Sequence, residues 1–361
     1  MPTLSRWLSA FLVCLVVAGA AAVEAAEQEG IARVSTVWGT NQPMPRLVAP
    51  GEWLPHSCYL AVPYRGGSAL RFERREEYQA VSIDGGPEQP AWIIVSAADD
   101  LAVLKRELDR GSRGFAVLCR SSRLASLPPL PAGRDIALAV TGTLPDFASL
   151  AKQHGVAALA LYLNELTDLG PLAEFTDVTS LRLTCHGSAS DLRPLAHLAK
   201  LTWLRLSGFR ETKDLKPLAE APNLQGLKLW GCKNVSDLGP LAGARRLAVL
   251  KVYGCESLCD LTPLAKLEKL GVLHLIGTAV ADLGPLAGLT ELLELDLSNC
   301  KQVTDLRPLA DLKHLEHIDL GGCDGVKDLA PLREMIRRGG KVTPPKDLQP
   351  QLETLRGKAS P

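Results

Sequence analysis

Net charge is the first thing this chain lacks: Lys plus Arg is 40 and Asp plus Glu is 40. No chain-wide electrostatic pull on nucleic acid or an anionic membrane is therefore expected. Long apolar runs are also missing after the amino terminus, where nothing approaches the roughly 18 continuous residues of a membrane helix. The Walker A phosphate loop, HExxH and GxSxG are all absent, which removes the enzyme classes that depend on them. Phe (6) and Met (3) are scarce against 65 Leu in 361 residues, a skew that suggests a repeat architecture. Hydrophobic residues make up 46% of the chain, enough for a core and too many for global disorder.

The amino terminus carries Arg6, an apolar run from Leu8 to Val17 and a small-residue stretch ending Val23-Glu24-Ala25-Ala26. That is the layout of a secretory signal, residues 1–25, cleaved after Ala25 or, as a second candidate, Ala22. The mature chain is then expected to be secreted or periplasmic, with no membrane insertion once the signal is removed.

The phrase DLxPLA begins at Asp168, Asp191, Asp214, Asp237, Asp260, Asp282 and Asp305, with a variant at Asp328; successive steps are 23, 23, 23, 23, 22, 23 and 23. Apolar residues recur ten, thirteen and fifteen positions after each Asp, as in Leu224, Leu227 and Leu229, followed by Gly or Asn and often Cys. The pattern resembles the leucine-rich repeat family, and the DLxPLA phrase is similar to that of the internalin-type bacterial subfamily. The resemblance implies an α/β solenoid in which a curved parallel sheet is backed by short helical or 3-10 return segments, with many protein partners served by the family.

The residues give the same expectation. The LxL pair alternates with a strand's period of two, and each unit can bury its leucines only against its neighbours. Each Asp is expected to cap a return segment by accepting a first-turn backbone N–H, with Pro tolerated just inside.

The expected organisation is a small β-rich module or cap over 27–90, degenerate leading repeats over 91–145, the solenoid proper over 146–343, and a mobile tail over 344–361. The cap contains a hairpin, Tyr59–Val62 against Ala69–Phe72. The leading repeats are read from the pairs Ile136/Leu138, Phe115/Val117 and Trp92/Ile94, lying 23, 21 and 23 residues apart going backwards from Leu159, so that Ile136 is taken as the equivalent of Leu159, with a helix near Asp99–Arg110. At the far end Leu332–Arg338 reads as helical and Lys341-Val342 as a last strand.

Besides Cys14 there are eight cysteines, of which Cys232, Cys255, Cys300 and Cys323 share the position eighteen residues after the Asp. They read as a ladder of small buried thiols; the oxidised alternatives are Cys232–Cys255 or Cys255–Cys259. Without a CxxC partner motif a structural zinc site is not expected.

On such strands the residues between the inward leucines point out on the concave side. Position fourteen reads Ala160, Arg182, Arg205, Lys228, Lys251, His274, Asp296, Asp319, and position sixteen contributes Trp230 and Tyr253 while position twelve contributes Trp203, Glu294 and His317. Exposed Arg and aromatic side chains are what protein interfaces enrich. The residues expected to carry binding are Arg182, Trp203, Arg205, Lys228, Trp230, Lys251 and Tyr253, facing an acidic protein partner; ordinary solvated strand faces are the plain alternative. His274, Asp296, His317 and Asp319 form a weaker metal-binding candidate. No catalytic residue, cofactor or nucleic acid is expected, and the protein is read as a non-catalytic monomer. The rival is a scaffold whose solenoid spaces the 27–90 module, which would then carry a ligand-binding or hydrolytic role.

Overall fold

A computed structural model describes residues 60–63, 69–73, 92–95, 98–111, 116–144, 147–185 and 187–357. The signal-like segment, most of the 27–90 module, Cys14, Cys58 and Phe115 lie outside the described residues. The chain divides into two compact units, Met1–Glu165 with Glu174–Leu183, and Leu166–Ala173 with Thr184–Pro361.

The first unit begins with β1 (Leu60–Pro63) and β2 (Ala69–Glu73), antiparallel with Val62 opposite Arg71, as the hairpin expectation had it. β2 also pairs antiparallel with β3 (Trp92–Val95). From there β3, β4 (Ala116–Arg120), β5 (Ala137–Gly142) and β6 (Ala158–Leu163) run parallel. Helix α1 (Ala98–Asp109) follows β3, within one residue of the expected helix. Two single-turn helices, α2 (Ser121–Leu124) and α3 (Ala148–Ala151), return the chain after β4 and β5. Leu104, Val117, Cys119, Leu138, Val140, Leu159 and Leu161 close the core.

The register of the leading turns corrects the sequence reading. Leu138 pairs with Leu159 and Val117 with Leu138, a step of 21, while Ile93 pairs with Val117, a step of 24. Ile136, read as the equivalent of Leu159, instead sits just ahead of β5, where its carbonyl accepts the Ala157 N–H at 2.9 Å. These turns lack the DLxPLA phrase, so nothing in them holds the step at 23.

Strand β7 (Ser180–Cys185) straddles the division between the units. In the second unit β8 (Trp203–Ser207), β9 (Gly226–Trp230), β10 (Val249–Tyr253), β11 (Val272–Ile276), β12 (Glu294–Asp296), β13 (His317–Asp319) and β14 (Lys341–Thr343) form a parallel sheet in chain order. Both leucines of each LxL pair are buried, and so are the DL and PL leucines of the return segments, such as Leu238 and Leu241. Burying each is worth roughly 2 kcal/mol, and the repeat stacks them in rows.

Return segments such as Lys216–Glu220, Gly239–Gly243 and Thr262–Lys266 are 3-10 turns of five residues with Pro in their first turn. Their bonds run three residues back, as from Leu241 N–H to Leu238 C=O at 2.8 Å. A 23-residue step leaves no room for a longer helix. All eight repeat Asp side chains accept the backbone N–H two residues on, at 2.6–2.9 Å, from Gly170 at Asp168 through to Ala330 at Asp328. The capping expectation therefore holds at every copy. After β8 to β13 the chain turns through the left-handed region, with φ of 62° at Gly231 and 61° at Asn299, which explains Gly or Asn there.

The carboxyl end differs from a mobile tail. Helix α4 (Arg333–Arg337) and β14 occur where expected, but a 3-10 turn (Lys346–Leu348) and α5 (Gln349–Leu355) follow them. Leu352 is buried. Gln351 accepts the Leu329 N–H at 3.0 Å and donates to Asp328 at 2.7 Å. The segment is polar in composition, yet one buried leucine and one bidentate glutamine tie it to the last repeat.

Candidate functional site

The repeat step places the position-fourteen residues of the second unit side by side. Arg205 is opposite Lys228, Lys228 opposite Lys251, Lys251 opposite His274, His274 opposite Asp296, and Asp296 opposite Asp319. Adjacent strands are about 4.8 Å apart. This is the charge row expected from the sequence, but its exposure is different: Arg205, Lys228, Lys251 and His274 are buried, Lys228 with only 4% of its surface accessible. Over Lys228 the position-sixteen rings of Trp230 and Tyr253 supply the cover. Trp203 reaches across to β9, where its ring lies over Gly226.

Buried cations need local compensation. Arg205 donates its Nε–H to Ser207 Oγ at 3.0 Å. The Lys228 ammonium sits 4.3 Å from the ring centre of Tyr253 and 5.2 Å from that of Trp230, so two π-faces bear on one charge. Arg182 belongs to the first unit, where it is buried with its guanidinium 4.8 Å from the Tyr162 ring.

Above Lys228, Trp230 and Tyr253 stack with centroids 5.1 Å apart and planes 20° apart. Trp230 is nonetheless 40% exposed. The Tyr253 hydroxyl is 2.9 Å from His274 Nδ1, and His274 Nε2 is 2.6 Å from Glu294 Oε1. The four residues occupy positions sixteen, sixteen, fourteen and twelve on β9 to β12, a diagonal across the face. The hydrogen bond from His274 holds the Glu294 carboxyl below its ordinary value against the opposing cost of burial, and the charges of His274, Lys251 and His317 act in the same direction as the bond. Glu294 and Gly226 escaped the sequence selection. The signal for Glu294 was the diagonal spacing, two positions down per strand, rather than the straight row.

The four metal candidates are not brought to one centre. Both ring nitrogens of His274 are engaged by Tyr253 and Glu294. Asp296 accepts from the N–H and hydroxyl of Ser298, Asp319 accepts the Gly321 N–H, and His317 is exposed. Among the described residues no group of three His, Cys, Asp or Glu is placed to hold a metal ion.

The seven described cysteines are free thiols, six buried and Cys259 exposed. Cys300 and Cys323 donate to the carbonyls of Leu275 and Leu297 at 2.8 and 2.9 Å. The hydrogen bond between Cys255 and Cys232, together with burial, pushes the Cys255 thiol up, and burial pushes Cys119 and Cys323 up to about 12. The same hydrogen bond lowers the Cys232 thiol, and the ladder is packed as free thiols, with the Cys232–Cys255 and Cys255–Cys259 disulfides absent from this structure. Cys185, one position earlier in its repeat, plays a similar part through Leu166 C=O at 3.4 Å.

Comparison with known proteins bears on the fold. Residues 290–334 match the family model described as Leucine Rich repeats (2 copies). No curated protein matches the chain. Among solved structures, an internalin (InlF) from Listeria monocytogenes is 21% identical, covering 63% of this chain and 73% of its own, with a TM-score of 0.52. Internalin C2 from the same organism is 29% identical over 51% of this chain and 79% of its own, with a TM-score of 0.44. The functional domain of InlJ, also from Listeria monocytogenes and described as including a cysteine ladder, is 17% identical over 60% of this chain and 58% of its own, with a TM-score of 0.32. The likeness to InlF, taken with the repeats, makes this an internalin-like leucine-rich repeat fold.

Proposed function

We propose that this protein is an exported, non-catalytic binding module that recognises a protein partner through the sheet face of its second unit. The observation that carries the reading is the Trp230–Tyr253 pair: two stacked rings, one of them 40% exposed, held in place by a buried lysine. An ordered aromatic surface loses little conformational freedom on binding, which is why such residues dominate interface energetics. Trp203, Arg205, Lys228 and Lys251 complete the face. Export rests on the signal-like residues 1–25, and no described helix is long and apolar enough to cross a membrane.

The test is a selection of random twelve-residue peptides displayed on phage against the intact chain. The selected pool should lose at least 30-fold in binding to the Trp230→Ala/Tyr253→Ala variant, on the order of 2 kcal/mol. It should bind the Lys200→Glu/Lys216→Glu variant, altered on the return side, as it binds the native protein. Equal loss in both variants, or none in either, would contradict the assignment of the face.

A further inference from the structure

The order of charges along this face points to the kind of partner it takes. Resting on the reading above, we infer that the second unit selects a protein segment whose own charge is ordered: acidic towards β8 to β10, basic where it crosses β12 and β13, with an aromatic or apolar side chain beside its acidic end seated against Trp230 and Tyr253 of β9 and β10.

Three registered cations, Arg205, Lys228 and Lys251, underlie β8 to β10. Glu294, Asp296 and Asp319 occupy β12 and β13, with the two aspartates in register. The hydrogen-bonded run Tyr253–His274–Glu294 lies at the junction. Because Lys228 lies beneath the Trp230 and Tyr253 rings and Arg205 and Lys251 are buried, a partner's carboxylate need not reach a cationic group; the field crosses a layer of low dielectric and is weakly screened. After the His274 hydrogen bond, the charge of Lys251 is among the influences that lower the Glu294 carboxyl. Like charges brought over either half would be opposed, so the arrangement discriminates as well as attracts.

The geometry sets a spacing. From Lys228 on β9 to Asp319 on β13 is four strand steps, roughly 19 Å at about 4.8 Å each. An extended segment at about 3.3 Å per residue covers that in roughly six residues. The complementary charges of a segment crossing the strands should therefore lie about six residues apart, in either chain direction.

The peptides selected on the native protein test this directly. Most should carry Asp or Glu towards one end and Lys or Arg about six residues away, with an aromatic or apolar residue next to the acidic end. A synthetic member of the pool should bind the Asp296→Asn/Asp319→Asn variant at least tenfold more weakly, because Asn keeps the oxygen that accepts the Ser298 and Gly321 N–H groups while removing the charge. Replacing the basic end of that peptide with neutral residues should cost as much on the native protein and almost nothing on the variant. A pool that depends on Trp230 and Tyr253 but shows no charge order, or full affinity for the Asn variant, overturns this inference and leaves the binding reading standing. A pool indifferent to Trp230 and Tyr253 overturns both. Glu294→Gln is a second, milder neutralisation of the same half, expected to weaken the basic end's contribution in the same direction.

Discussion

The indole of Trp203 lies against Gly226, its register partner on the next strand, so that a Cβ on Gly226 would run into Cε3 and Cζ3 of the ring. The missing side chain is what lets Trp203 lean across the face. Gly226→Ala is expected to displace the ring, destabilising the protein by about 1–3 kcal/mol and shifting Trp emission to longer wavelength. Gly243→Ala is the control, because nothing lies within 4 Å of a Cβ built there. Equal denaturant midpoints for the two variants would mean that the contact is not a constraint.

The His274–Glu294 pair gives a pH dependence with a defined sign. The carboxyl of Glu294 is held below its ordinary value by the His274 hydrogen bond. A depressed acid contributes stability that is fully present above the unfolded value, near 4.3, and is lost as pH falls through the folded one. Native protein should therefore exceed Glu294→Gln in Tm at pH 6, with the difference closing in acid below about pH 4. A difference that stays constant into that range would contradict the assignment.

Caps repeated along a solenoid should act independently. Asp214 and Asp282 each accept one backbone N–H at 2.8 Å, three repeats apart. Replacing either with Ala should lower Tm by roughly 2–4 °C, and the double variant by about the sum. Scanning calorimetry of the three variants checks this, and a strongly sub-additive double variant would argue against nearest-neighbour coupling.

Thiol chemistry separates the packed ladder from the surface. Cys259 is exposed, whereas Cys119, Cys185, Cys232, Cys255, Cys300 and Cys323 are buried. Iodoacetamide at pH 8 should label Cys259 in the folded protein and the other six only after denaturation, without reductant. Peptide mapping that found any of the six blocked until reduction would restore the disulfide alternative.

The repeat was legible because one physical requirement recurs in every turn. The Asp cap, the LxL pair and the left-handed Gly or Asn are each fixed by backbone geometry, so Asp237, Leu250 and Gly254 could be placed from spacing alone. The site was legible in its rows but not in its depth. Lys228 and Lys251 stand where position fourteen puts them, yet both are buried, Lys228 beneath the Trp230 and Tyr253 rings, and that depth is not contained in a count of residues. His274 was read as a possible ligand because its row neighbours are acidic; its bond is to Glu294, two positions lower on the next strand. The leading turns misled by registering Ile136 with Leu159, since without DLxPLA there was no fixed point to count from. At the other end, Leu352 and Gln351 anchor a segment whose polarity alone read as a tail.

Hydrogen exchange of the intact chain with and without a selected peptide tests the central claim most directly. Protection is expected in Gly226–Trp230 and Val249–Tyr253, the strands bearing Lys228, Trp230 and Tyr253, with the return segments Lys216–Glu220, Gly239–Gly243 and Thr262–Lys266 unchanged. Protection confined to those return segments would place the partner on the opposite side and contradict the account.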